Sequence, residues 1–249
     1  MSPSLFHTLN ISRQDMVNRL LDLDVTASNL ANVNTSGYKS QRTNFQEMVN
    51  NASASLQGIS VSGTQMLTTQ GTLKSSTSAL DWAIQGEGLF AVTLPDGQTG
   101  YTRSGQFYLD SENNLVTASG YPLVWDGTIP DNMSDLAISQ DGTVTALLTD
   151  GSTVTAGQVS LNVFANPTAL SGQGSNVWLA TDASGAAQSV QPGTGGSGWV
   201  TSHAVEQSNV DLSREMTNLV TLQRNFEMSV KAFQQTDSMI SQAINMRKG

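Results

Sequence analysis

Cysteine is absent from the 249 residues, so neither a disulfide framework nor a thiolate metal site can be built from this chain. Histidine is scarce: His7 and His203 are the only two. A metal site built on them would need carboxylate or water to complete its shell, and each reads instead as a surface or packing histidine. No window stays apolar for the roughly 18 residues that a spanning helix needs, so no membrane insertion is expected. No basic segment followed by an apolar run opens the chain either, and any export from the cytoplasm is expected without a cleavable signal peptide.

Basic side chains are also rare in one place. The net charge is −9, from 11 Lys+Arg against 20 Asp+Glu. Residues 1–50 carry four charges of each sign and residues 201–249 five of each, so the middle accounts for the whole imbalance, with Lys74 and Arg103 its only cations. An acidic middle repels phosphate, which excludes nucleic acid as an expected partner. Neutral ends can pack together, and an acidic middle suits solvent.

What is there begins at the far end. Ser208 to Met246 contains no Pro and no Gly. Leu212, Met216, Leu219, Gln223, Phe226, Val230, Phe233, Asp237, Ile240 and Ile244 follow at alternating spacings of four and three, a heptad seam on one long helix. At ~1.5 Å per residue this helix runs roughly 55 Å and needs a long partner. Its polar members, Gln223 and Asp237, are expected to fix register if buried. A second apolar set, Val220, Leu222, Met228, Met239, Ala243 and Met246, lies off the seam and implies more than one neighbour.

Residues 4–33 repeat the pattern. Leu9, Met16, Leu23 and Leu30 recur every seven, with Phe6, Leu20 and Ala27 between them and Arg13 breaking the stripe once. Pro3 suits a first turn, and the turn formers from Asn32 to Gly37 should end the helix. Two seams about 170 residues apart suggest termini that come together as a helical base, with something else between them.

From about Thr72 to Val200 the apolar residues alternate or fall in short runs, as in Phe107-Tyr108-Leu109 and Val144-Thr145-Ala146-Leu147, and the period becomes that of strands. Asp96-Gly97, Asp126-Gly127, Asp141-Gly142 and Asp150-Gly151 each read as a tight turn. The expected fold is α+β: long N- and C-terminal helices pairing as a coiled coil, with a mainly antiparallel β domain inserted between them. The expected domains are 1–39 with 205–249 as the helical base, 40–71 as a polar connector, and 72–204 as the β domain.

No constellation argues for catalysis. Gly86-x-Gly88 opens no helix and so offers no phosphate cradle; it reads as a turn between strands. Asp81, Glu87 and Asp96 could form an acid/base pair, although turn carboxylates in an acidic domain are usually solvated. Trp82, Trp125, Trp178 and Trp199 could line a sugar platform, but four aromatics spread over a β domain are more often packing. No Gly-x-Ser-x-Gly elbow occurs. No enzyme activity, cofactor, metal or small-molecule substrate is expected.

Asn29-Leu30-Ala31-Asn32-Val33-Asn34-Thr35-Ser36-Gly37-Tyr38-Lys39 closely resembles the N-terminal signature of the bacterial flagellar rod and hook family. The resemblance continues at Leu80 to Phe90, at Tyr101-Thr102-Arg103-Ser104-Gly105-Gln106-Phe107, at Ser208-Asn209-Val210-Asp211-Leu212 and at Gln223-Arg224-Asn225-Phe226. It implies an axial structural subunit of the basal body. In that family the terminal helices pack as a coiled coil against those of neighbouring subunits to build the inner tube, the β domain faces outward, and export runs through the flagellar type III apparatus. The implied partners are further copies, other rod and hook proteins, and that apparatus, in a rod spanning the periplasm.

The seam residues Leu9, Met16, Leu20, Leu23, Leu30, Leu212, Met216, Leu219, Phe226, Val230, Phe233, Ile240 and Ile244 are the expected assembly interface. Asn29, Asn32, Asn34, Thr35, Gly37, Tyr38, Asn209, Gln223 and Arg224 carry the family motifs. The middle is short for a hook protein, which favours rod. A short Phe45 to Thr72 leans towards the proximal rod, while Ser208 to Glu215 looks closer to distal-rod and hook proteins. The competing readings are a hook-type axial protein and a periplasmic cell-wall-binding or hydrolysing module on a coiled-coil oligomeriser.

Overall fold

The computed structural model describes residues 3–49 and 56–248, and describes side chains there except at 3–9, 45–49, 56–62, 243–244 and 246–248. Phe6, His7, Leu9, Phe45, Met48, Val49, Ala243, Ile244 and Met246 therefore lie outside the described side chains. The chain forms two compact units: 1–31, 41–65 and 211–249 make one, and 32–40 with 66–210 make the other.

The first unit contains helix α1 (Pro3–Ala31), strands β1 (Gln41–Val49) and β2 (Leu56–Met66), and helix α2 (Leu212–Lys248). Asp211 starts α2, because its carboxylate accepts the amides of Ser213 (3.0 Å) and Arg214 (3.2 Å), two of the donors a helix start leaves unpaired. The two helices pack side by side and antiparallel. Asn29 donates to Glu215 (3.5 Å), Asn218 to Thr26 (3.4 Å) and Ser229 to Asp15 (2.6 Å), so each step towards the start of α1 is matched by an equal step towards the end of α2. Much of the stretch read as a polar connector is paired strand instead, since β1 and β2 form a two-stranded sheet. Its alternation of polar and apolar residues is weak, which hid it.

The second unit is an antiparallel β assembly. One four-stranded sheet runs in the order Met133–Ile138, Thr143–Leu148, Thr153–Gln158, Asp126–Gly127. Another runs Ser171–Gly174, Val177–Leu179, Thr99–Thr102, Phe90–Thr93. Trp199–Ser202 pairs with Trp82–Gln85, and Ala204–Glu206 with Leu73–Ser75, so the segment leading to α2 returns to the strands that opened the unit. The core gathers Trp82, Ile84, Phe90, Phe107, Leu136 and Val200, among others. Phe107 meets Trp82 and Phe90 edge-on, with ring centroids 5.3 and 5.4 Å apart, the offset that the aromatic quadrupole favours.

Three of the four Asp-Gly pairs are turns: Gly97, Gly142 and Gly151 have φ of +80°, +86° and +83°, and Asp96, Asp141 and Asp150 each accept the amide two residues on. Asp126-Gly127 is not a turn. It pairs as a strand with Gly157 and Gln158, and a Cβ on Gly127 would lie 2.5 Å from the Ala156 carbonyl oxygen, so this glycine serves close strand approach.

Candidate assembly interface

Heptad spacing placed one apolar seam along α2, and the structure divides it. The stripe facing α1 contains Leu222, Thr236 and Ile240, all buried, with Glu215, Leu219, Phe226, Ser229, Val230 and Phe233 half-buried. Leu212 and Met216 are 46% and 53% exposed, and Gln223 and Asp237 are exposed as well, so these polar positions are not buried within the subunit. Leu222, read as off the seam, faces inward. The reason is chemical: Glu215 and Ser229 find partners on α1 in Asn29 and Asp15, so polar residues occupy inward positions that a count of apolar residues passes over.

Helix α1 turns still more polar residues inward. Among its described side chains the buried ones are Asn18, Thr26 and Asn29. Met16, Leu23 and Leu30 are half-buried, while Ile11, Val17, Leu20 and Leu21 are exposed. Asp15 and Arg19 form an i,i+4 ion pair at 2.9 Å. Burial raises the carboxyl of Asp22 above its usual range, against the opposing pull of Arg19. Val220, Met228 and Met239 add outward apolar surface on α2, Met228 being 60% exposed. Helix α1 thus turns polar residues inward, the inward stripe of α2 mixes apolar with hydrogen-bonded polar residues, and both helices leave large apolar side chains in water.

The motif residues do a different job. Asn29 brackets the backbone of Gln41, donating to its carbonyl (2.8 Å) and accepting its amide (2.9 Å). In the second unit Asn209 does the same to its surroundings, accepting the Ser40 amide (2.7 Å) and donating to the carbonyls of Leu67 (3.1 Å) and Thr69 (3.0 Å). Asn32 accepts the Thr35 hydroxyl (3.1 Å), and Asn34 is exposed. Gly37 has φ +66°, and a Cβ there would stand 2.5 Å from the Ser104 backbone nitrogen. Only glycine fits. Tyr38 is buried; Arg224 is exposed.

Behind this segment lies an ionic centre that sequence reasoning missed. Glu206 accepts from Lys39 Nζ at 2.7 Å and from Arg103 Nε at 2.6 Å, and all three side chains are almost wholly buried. Arg103 also donates to the carbonyls of Ile84 (2.8 Å), Gly86 (2.7 Å) and Gly88 (2.6 Å). The Gly-x-Gly turn is therefore a carbonyl cage for a guanidinium. Burial pushes the Lys39 ammonium below its usual range, with Glu206 opposing and Arg103 adding to the shift. The signal was present in Arg103, one of two cations in a long acidic stretch, where an isolated positive charge suggests a buried partner. Glu206 itself carried no signal.

The remaining candidates do not converge. Asp81 is bonded to Ser76, while Glu87, Asp96 and His203 are exposed. Trp82 and Trp178 sit in separate buried clusters, Trp125 is half-buried and Trp199 is 52% exposed. Among the described residues no group of three or more His, Cys, Asp or Glu could hold a metal ion, and no helix is long and apolar enough to cross a membrane.

Three family models match in chain order: "Flagella basal body rod protein" over residues 16–39, "Flagellar hook protein FlgE/F/G D1 domain" over 83–146, and "Flagellar basal body rod FlgEFG protein C-terminal" over 201–246. The flagellar basal-body rod protein FlgG of Caulobacter vibrioides is 38% identical over 260 residues, covering 96% of this chain and 98% of that protein. The protein of the same name from Bacillus subtilis is 37% identical over 254 residues, covering 94% and 96%. The flagellar hook protein FlgE of Escherichia coli is 36% identical over 137 residues, covering 54% of this chain and 32% of that protein. With the motif residues bracketing the backbone and rod proteins matching from end to end, the chain belongs to the flagellar basal-body rod and hook family of axial structural proteins.

Proposed function

We propose that this chain is a rod subunit that polymerises head-to-tail into a helical tube carrying torque from motor to hook. The observation that carries the reading is the outward apolar surface on both terminal helices: Ile11, Val17, Leu20 and Leu21 on α1, and Leu212, Met216, Val220, Met228 and Met239 on α2. Each such side chain is roughly half exposed, so a neighbour that covers the rest gains roughly half of the ~1.5–3 kcal/mol that full burial is worth. Repeated heterologous contacts whose rotation does not close generate a tube, and many parallel helical seams resist shear.

In this reading the two helices, Pro3–Ala31 and Leu212–Lys248, form the inner wall as a coiled coil between subunits. The β domain, 72–204, faces outward, and the β1 and β2 pair supplies further subunit contacts, because a lone two-stranded sheet is marginal in water. The seam set Leu9, Met16, Leu20, Leu23, Leu30, Leu212, Met216, Leu219, Phe226, Val230, Phe233, Ile240 and Ile244 divides in this reading between contacts inside the subunit and contacts to a neighbour. The first two apolar residues of α2, Leu212 and Met216, meet a neighbour, while Leu219, Phe226, Phe233 and Ile240 hold α1. Partners are further copies and other axial proteins, with export by the flagellar type III apparatus and a final place in the periplasm-spanning rod.

Rod is favoured over hook by end-to-end similarity to rod proteins. The lean towards the proximal rod rests on the shortness of Phe45 to Thr72 alone. A hook protein matching half the chain at 36% identity favours instead the part of the rod that adjoins the hook. Cryo-electron microscopy of basal bodies carrying a labelled copy tests the assignment. Label in the rod is expected; label only in the hook, or absent from basal bodies, contradicts it.

A further inference from the structure

Lys39 and Arg103 are buried beside a single carboxylate, and their hydrogen bonds do not exhaust them. An ammonium has three N–H groups. Lys39 uses one on Glu206 (2.7 Å) and one on the Thr69 carbonyl (2.8 Å), leaving one. A guanidinium has five. Arg103 uses Nε on Glu206, one Nη1 hydrogen on Gly88, and both Nη2 hydrogens on Ile84 and Gly86, leaving one on Nη1. Both side chains line the same cleft of the second unit. The buried charges, two positive and one negative, leave that cleft one negative charge short of balance.

The rest of the cleft sets what fits. Met66, Leu89, Phe164 and Pro167 supply an apolar wall, and the Gly86 to Gly88 turn forms a side with little bulk. Its volume, about 80 Å³, is far below the roughly 300–1,000 Å³ of sites that take drug-sized molecules. Glu87 also lines it but is exposed, so solvent screens its charge. Two buried cationic donors and an apolar wall lining one small cleft suit one carboxylate on a short apolar stem, because charge-assisted hydrogen bonds to a carboxylate are the strong ones.

We infer that this cleft is a carboxylate-binding site whose occupant in the assembled structure is an Asp or Glu side chain of a second copy of the chain. The source follows from charge: the segment 51–200 holds eleven acidic residues against Lys74 and Arg103, so copies packed side by side present acidic side chains to one another and few places to receive them. The choice of source rests on the rod reading above; the carboxylate chemistry does not.

The test uses the full chain, dilute and unassembled, with sodium butyrate as probe and butyramide as its neutral isostere, at constant ionic strength. Saturable movement of the Lys39 Nζ and Gly88 amide resonances with butyrate, absent with butyramide and absent from a Lys39→Met variant, is expected. Equal response to both probes, or to neither, overturns the site. If Lys39→Met fails to fold, the comparison of the two probes on the unaltered chain still decides. A second arm follows polymerisation. Slowing by butyrate and not by butyramide supports a second copy as the source. Binding without slowing keeps the site and rejects the second copy as its occupant, and failure to polymerise at all counts against the rod reading while leaving the probe result standing.

Discussion

Single residues in this chain hold segments far apart in sequence. Glu206 joins Lys39, Arg103 and, through its carboxylate, the Gly71 amide (2.8 Å), so three stretches meet on one side chain. Glu206→Gln leaves two buried cations without their anion and should cost about 3–5 kcal/mol, read by denaturant unfolding followed on tryptophan fluorescence. A loss within that of an ordinary surface substitution would refute the assigned role. Gly37→Ala should also destabilise by more than about 1 kcal/mol, since the backbone there is left-handed and the methyl meets Ser104. Acid acts on the turns. Asp110 is held below its usual 3.8 by hydrogen bonds from Asn114, and Asp150 by those from Ser152. Their carboxylates are more acidic folded than unfolded, so the stabilisation they give is complete above pH 3.8 and is lost as pH falls through the lower folded values. Acid titration of unfolding should therefore be shallower in this range for Asp110→Asn than for the unaltered chain.

The helices divide their apolar residues between two tasks. Leu222 is 9% exposed and faces α1, so Leu222→Ala should weaken the helix pair by about 2–5 kcal/mol and lower helical circular dichroism in the dilute chain. Met228, 60% exposed, should behave oppositely: Met228→Glu leaves the dilute chain's dichroism unchanged and prevents polymerisation in sedimentation assays. The long helices were legible in sequence because the absence of Pro and Gly and the heptad spacing are local properties. Which half of the seam turns inward was not, because the answer lies in partners such as Asp15 for Ser229 that are distant in sequence. Three Asp-Gly turns were legible for the same local reason. Asp126-Gly127 was not, since its conformation is set by a strand pairing 30 residues away. The β1 and β2 pair escaped because polar strands lack the period that marks half-buried ones.

At the scale of the molecule, the chain combines a β unit with a saturated core and a helical unit with unsaturated surface. The first buries Trp82, Phe90, Ile84 and Val200 completely; the second keeps nine large apolar side chains exposed among the described residues of its helices. A folded β unit with helices that await neighbours is the central claim. It follows that α1 and α2 are only marginally stable in a lone subunit and gain their stability on polymerisation. Amide hydrogen exchange measured on the dilute chain and again on the polymer tests this most directly. Faster exchange in Pro3–Ala31 and Leu212–Lys248 than in the strands of the β unit, with strong protection of both helices appearing only in the polymer, is the result the claim requires. Helices as protected in the dilute chain as in the polymer would contradict it.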